Sequence, residues 1–140
     1  MSPSTPIQAH IAYELIGDTS PAVVAIEFLS HVIADPAHAH ELGEQLDSLI
    51  RPDLPRNFVI DFANVRSVGS SAFGAIVAFA LRAGQVRVCN IHGTLRLGAA
   101  LSGLDECTEY AISRQAAINL AWKASSQDLE DTDEYPIFVS

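Results

Sequence analysis

No lysine or arginine occurs in the first 50 residues of this 140-residue chain, although that stretch holds seven aspartates and glutamates. All eight basic residues lie between Arg51 and Lys123, where five acids leave the middle of the chain at +3. Five further acids fall between Asp128 and Glu134, and the whole chain stands at −9. A few scattered arginines between acidic ends do not make the clustered positive charge that neutralises phosphates, so no nucleic-acid partner is expected. An acidic surface serves solubility first and suits a basic protein surface second.

Cysteine is scarce as well. Cys89 and Cys107 are the only two and have no paired spacing, which argues for buried thiols in a reducing compartment and against a disulfide framework. The longest apolar run, Ala72 to Leu81, is about half of the ~20 residues that span a bilayer, so no membrane insertion is expected. The opening MSPSTPIQAH lacks the basic start and apolar centre of a secretory leader, and a cytoplasmic location is the expectation. With one lysine, Lys123, the chain has no Gly-x-x-x-x-Gly-Lys-Ser/Thr phosphate loop, and no cofactor is expected.

What is present is apolar substance. Hydrophobic residues make up 49% of the chain, enough for one core without disulfide or metal staples. Residues 1–9 are expected to form a loose arm, residues 10–123 a domain, and residues 124–140 an acidic tail with Tyr135–Val139 as a docking segment. Strands are expected at His10–Ile16 and Val23–Phe28, joined by a turn cluster into an antiparallel hairpin. Asp35-Pro36 suits a helix cap followed by proline, and Leu42, Leu46 and Leu49 then recur at helical spacing. Phe58–Phe62 is continuously apolar save for Asp61, as in a central strand covered on both faces. A helix from Ser70 to about Arg82 stops at Gly84, and Val86–Ile91 alternates as the next strand. Thr94 is expected to cap a helix ending at Gly103. A short strand near Tyr110 and a helix over Arg114–Trp122, with Trp122 as a core anchor, complete the order. Strands separated by single helices require crossovers, which predicts an α/β fold with a mixed, mostly parallel sheet of about five strands, an N-terminal hairpin and about four helices.

The segment NVRSVGSSAFGAIV, residues 64–77, sets two serines at the start of the most apolar helix. A serine hydroxyl there can accept a hydrogen bond from a free helix N–H, so one serine is expected as a cap. The same place suits a phosphate, because free N–H groups and the helix dipole both favour an anion. The helix itself is apolar nearly all round. Full burial is its plainest reading, and a first turn offered to a partner is the sharper one.

The stretch from Asn57 to Glu106 resembles the core of a STAS domain, the family that includes bacterial anti-sigma factor antagonists. The family pattern is an apolar strand ending in Asp or Asn, a short link, then Asp-Ser-Ser/Thr-Gly-Leu-Gly opening an apolar helix. Here Val59–Phe62, Gly69-Ser70-Ser71-Ala72-Phe73-Gly74, Val86–Asn90 and Leu101-Ser102-Gly103-Leu104 match in order, and the element order agrees from about residue 10 to 122. The resemblance implies a STAS-like fold and a non-enzymatic regulator of transcription in a bacterial cytoplasm. It further implies a protein partner, an anti-sigma factor or related serine kinase. It places the phosphorylated serine at Ser70, with Ser71 as second candidate, and partner contacts at Asn64, Arg66, Ser67, Gly69, Ser70, Ser71 and Phe73. The chain departs from the pattern at Gly69, where an acid is usual, at Ala72, where glycine is usual, and at Ser67, normally apolar.

Three alternatives stand beside this one. The same fold can serve as a scaffold or small-ligand sensor without phosphorylation, self-assembling into a homo-oligomer through its apolar helices. A small serine hydrolase needs Gly-x-Ser-x-Gly, which Gly69–Gly74 does not provide, and nothing positions His92 as its base; no catalytic residue is assigned. His38, His40, Glu41 and Glu44 are metal-ligand types, but His38 and His40 point apart on a helix, so no metal site is assigned.

Overall fold

The computed structural model describes residues 9–123; the expected N-terminal arm up to residue 8 and the expected docking segment Tyr135–Val139 lie outside the described residues. Strands β1 (Ile11–Ile16) and β2 (Val23–Phe28) form the antiparallel hairpin, with Ile11 opposite Phe28 and Ile16 opposite Val23. After a two-residue strand β3 (Val32–Ile33) comes helix α1 (Pro36–Asp47), then β4 (Asn57–Asp61) and a second two-residue strand, β5 (Ser67–Val68). Helix α2 (Ser70–Ala83) leads to β6 (Gln85–Cys89), α3 (Gly93–Leu101), the single turn α4 (Leu104–Cys107), β7 (Glu109–Ala111) and α5 (Arg114–Asn119). The main sheet has the order β1-β2-β4-β6-β7 and is parallel from β2 onward, while β3 and β5 pair in a small parallel sheet of their own. The expected mixed five-stranded sheet with its opening hairpin is therefore what the chain forms.

The sheet's two faces are covered unequally. On one face Val24, Ile26, Phe58, Ile60 and Val88 lie under α1 and α2, whose Leu42, Leu46, Ile76 and Phe79 complete the main core. Burying each such side chain contributes about 1.5–3 kcal/mol relative to leaving it in water. On the other face Val23, Val59 and Cys89 meet Ala117 and Ile118 of α5, with Trp122 at the rim. Both cysteines are free thiols, Cys89 buried and Cys107 half-buried. Helix α1 begins as expected: the Asp35 carboxylate accepts the Ala37 N–H at 2.8 Å, and Pro36 follows. Gly84 ends α2 with φ of 117°, a conformation that L side chains rarely adopt.

Several expectations need correction. The alternation in Val86–Ile91 suggested a strand with one polar face, yet Arg87 is buried because α5 lies over it. Thr94 does not cap α3: His92 occupies the cap position, and no side chain caps the first turn. Helix α5 stops at Asn119, short of Trp122, which is half-buried and donates its Nε1–H to the Ile118 carbonyl at 3.1 Å. Strands β3 and β5 and the turn α4 had no counterpart in the sequence pattern. Among the described residues, no helix is long and apolar enough to cross a membrane.

Candidate functional site

The loop after β4 is shaped before α2 begins. Asp61 accepts the Ala63 N–H at 2.9 Å and the Asn90 side-chain N–H at 2.9 Å, which fixes the exit of the strand. The segment after β2 then clasps this loop from outside. The His31 carbonyl accepts from Arg66 N at 2.7 Å and Ser67 N at 3.2 Å, and His31 Nδ1–H donates to the Asn64 carbonyl at 2.6 Å. Pairing of Val32 with Ser67 and of Ile33 with Val68 continues the clasp, and Gly69 N–H closes it on the Ile33 carbonyl at 2.8 Å. Asn64, Arg66 and Ser67 are exposed along this clasped edge.

Gly69 occupies the cap position of α2 in an extended conformation, with φ −77° and ψ 169°. Its backbone lies so close to the neighbouring segment that a Cβ would sit 3.2 Å from Ala34 Cα and 3.3 Å from the Ala34 carbonyl oxygen. Close backbone approach thus accounts for glycine at this position. It also overturns the expected serine cap. Ser70 and Ser71 are already the first two helical residues, and no side chain caps α2. Both are exposed, and among the described residues neither hydroxyl makes a hydrogen bond. The Gly69 carbonyl accepts the first intrahelical bond, from Phe73 N at 3.0 Å.

Beside Ser70 an open cleft of about 320 Å³ separates the starts of α2 and β5 from α3. Ser67, Ser70 and Phe73 line one side, and Thr94, Gly98 and Leu101 the other. Phe73, expected at the partner surface, is only 3% exposed and forms the floor of this cleft. It fits because residue 98 is glycine: a Cβ there would lie 2.8 Å from Phe73 Cε2. The α3 side of the cleft carries Leu101, 81% exposed; one turn before it on the same helix, Leu97 is 60% exposed but lies outside the cleft lining. These leucines were not among the expected site residues. Their spacing in the sequence matches that of buried helix residues, and only the packing shows that α3 turns them outward.

The remaining candidates fall elsewhere. His40 and Glu44 form an exposed pair at 3.5 Å across one turn of α1. His10 is buried between Glu41, at 3.0 Å from Nε2, and the Ser30 hydroxyl, at 3.1 Å from Nδ1, with the His38 ring 5.1 Å away. Among the described residues no group of three or more His, Cys, Asp or Glu side chains is placed to hold a metal ion. No hydrogen bond joins His92 to either serine among the described residues. The Cys89 thiol is pushed up to about 12, chiefly by burial and then by the nearby Asp61 carboxylate, so it is no nucleophile at neutral pH.

A five-stranded mixed sheet with its hairpin at one edge, covered by α1 and α2 and opening a helix at the serine pair, defines a STAS-like α/β domain. Two solved structures share this fold. One is a proposed anti-sigma factor antagonist from Thermotoga maritima, with a TM-score of 0.59, 14% identity, and coverage of 76% of this chain and 90% of that one. The other is the anti-sigma factor antagonist SpoIIAA in its unphosphorylated form, with a TM-score of 0.51, 15% identity, and coverage of 74% of this chain and 91% of that one. The sequence matches no family model, and it matches no curated protein significantly.

Proposed function

We propose that this chain is a non-enzymatic regulator that binds a protein partner through the surface around Ser70, in the manner of an anti-sigma factor antagonist. The partner is an anti-sigma factor or related serine kinase, and phosphorylation of Ser70 releases it; the setting is transcription control in a bacterial cytoplasm. The observation that carries this reading is the free, exposed Ser70 hydroxyl at the uncapped start of α2, beside a cleft whose far side carries the exposed Leu101.

The physical chemistry runs in one direction. A phosphate on Ser70 adds roughly −1.5 to −2 charges at neutral pH. The uncapped N–H groups and the positive end of α2 stabilise that charge, so the modified helix start tolerates it. A partner seated over Ser70 and Leu101 would have to strip water from the phosphate, a cost that drives release. Asn64, Arg66, Ser67, Gly69 and Ser71 belong to the same contact surface, with Phe73 supporting it from below.

Gly69 favours a second reading with the same fold. Without the family's acid beside Ser70, the cleft can bind a partner or small ligand permanently, with no switch. The two readings separate on Ser70→Asp and Ser70→Ala. A phospho-switch loses partner binding in Ser70→Asp by at least tenfold and keeps it in Ser70→Ala. A permanent scaffold binds equally well in both, and that result would sink the switch.

A further inference from the structure

The outer edge of β1 carries a second interface. The Leu29 N–H donates to the His10 carbonyl at 2.8 Å, which continues the β1–β2 ladder by one residue. Because main-chain groups alternate sides along an antiparallel ladder, Ala12, Glu14 and Ile16 turn theirs toward β2. Ile11, Tyr13 and Leu15 turn theirs outward, and among the described residues nothing bonds to them. The edge runs six residues in unbroken register, with no proline, lysine or bulge to blunt it. The opposite edge, β7, is three residues long.

The side chains of this edge also point to an occupant. Ile11, Tyr13 and Leu15 share the face that holds α1, and Tyr13 and Leu15 are 47% and 50% exposed. We propose that β1 pairs antiparallel with β1 of a second copy of this chain, centred on Tyr13, to form a continuous ten-stranded sheet across a two-fold axis. In that register Tyr13 meets its own counterpart and Ile11 meets Leu15 on the apolar face, while Ala12 meets Glu14 on the other. Each outward main-chain group then finds a partner. Centred on Glu14 instead, the strands would set two carboxylates directly opposite, each already paired with Arg114 of its own chain at 3.0 Å, a contact that the Tyr13 register avoids. The pairing uses none of the residues around Ser70.

Sedimentation equilibrium of the full chain over a micromolar range tests this. The expected mass rises with concentration to twice the 15.0 kDa of the chain. Tyr13→Lys, which opposes two ammonium groups, and Tyr13→Pro, which removes only an outward N–H, are both expected to stay monomeric with unchanged circular dichroism. Ala12→Cys combined with Glu14→Cys places thiols across the non-hydrogen-bonded pair, about 4.5 Å apart at Cα, and is expected to give an intermolecular disulfide on oxidation. A wild-type chain monomeric at every concentration overturns the proposal. So does a dimer that Tyr13→Lys leaves intact.

Discussion

From the sequence, Ser70 reads as a helix cap and Gly69 as a departure from a family pattern, and the structure relates the two differently. Gly69 takes the cap position because the Ala34 backbone leaves little room for a side chain. The serines therefore follow the cap and keep their hydroxyls free. The sequence could not show this, since the crowding comes from Ala34, thirty-five residues earlier. Gly98 supplies the matching contact across the cleft. Gly98→Ala drives a methyl group into the buried Phe73 ring, and we expect a loss of about 1–3 kcal/mol, read as a lower thermal midpoint. The same substitution should narrow the cleft beside Ser70 and weaken partner binding.

At the scale of elements, strong periodicity was readable and short pieces were not. The hairpin, α1, β4 and α2 each carry a pattern long enough to declare itself: Asp35-Pro36 at one start, Gly84 at one end, Phe58–Phe62 through the centre. Strands β3 and β5 have two residues each and show no period; their pairing depends on His31 gripping Asn64, Arg66 and Ser67. Helix α5 is similarly short and owes its place to Arg87. That buried guanidinium donates to the carbonyls of Ala117 at 2.9 Å, Leu120 at 2.8 Å and Ala121, reaches Glu109 at 3.2 Å, and stacks on Trp122 at 3.7 Å. A cation among the last carbonyls of a helix satisfies groups that six residues of α5 cannot satisfy alone. Arg87→Ala is expected to cost about 3 kcal/mol in urea unfolding, because several charge-assisted hydrogen bonds are lost together. Arg87→Lys is expected to recover less than half of this, since a point charge cannot reach three carbonyls and stack as a planar fork does. Hydrogen exchange should show α5 opening ahead of β4.

For the molecule as a whole, alkaline pH is the revealing condition. The Cys89 thiol has a reference value of 9.0 and is raised to about 12 in the fold. Burial, with help from the Asp105 carboxylate, raises the Tyr110 phenol from its usual 10.0 as well. The folded state therefore holds protons that the unfolded chain releases. This stabilisation is complete below pH 9 and is lost as pH rises toward 12. The urea midpoint is expected to fall steadily above pH 9, and Cys89→Ala should flatten the lower part of that decline; a midpoint unchanged up to pH 11 would contradict the assignment.

Arg87 and α5 close one side, while the clasped loop, the start of α2 and the α3 leucines open the other. The central claim, that this open side is a phosphorylation-gated protein interface, is met most directly by incubating the purified chain with the proposed anti-sigma-factor kinase and ATP and mapping phosphate by peptide mass spectrometry. The expected result is a single phosphate on Ser70, with kinase binding lost in the modified fraction. A chain that acquires no phosphate, or that carries phosphate on Ser70 and still binds the kinase as tightly, would contradict it.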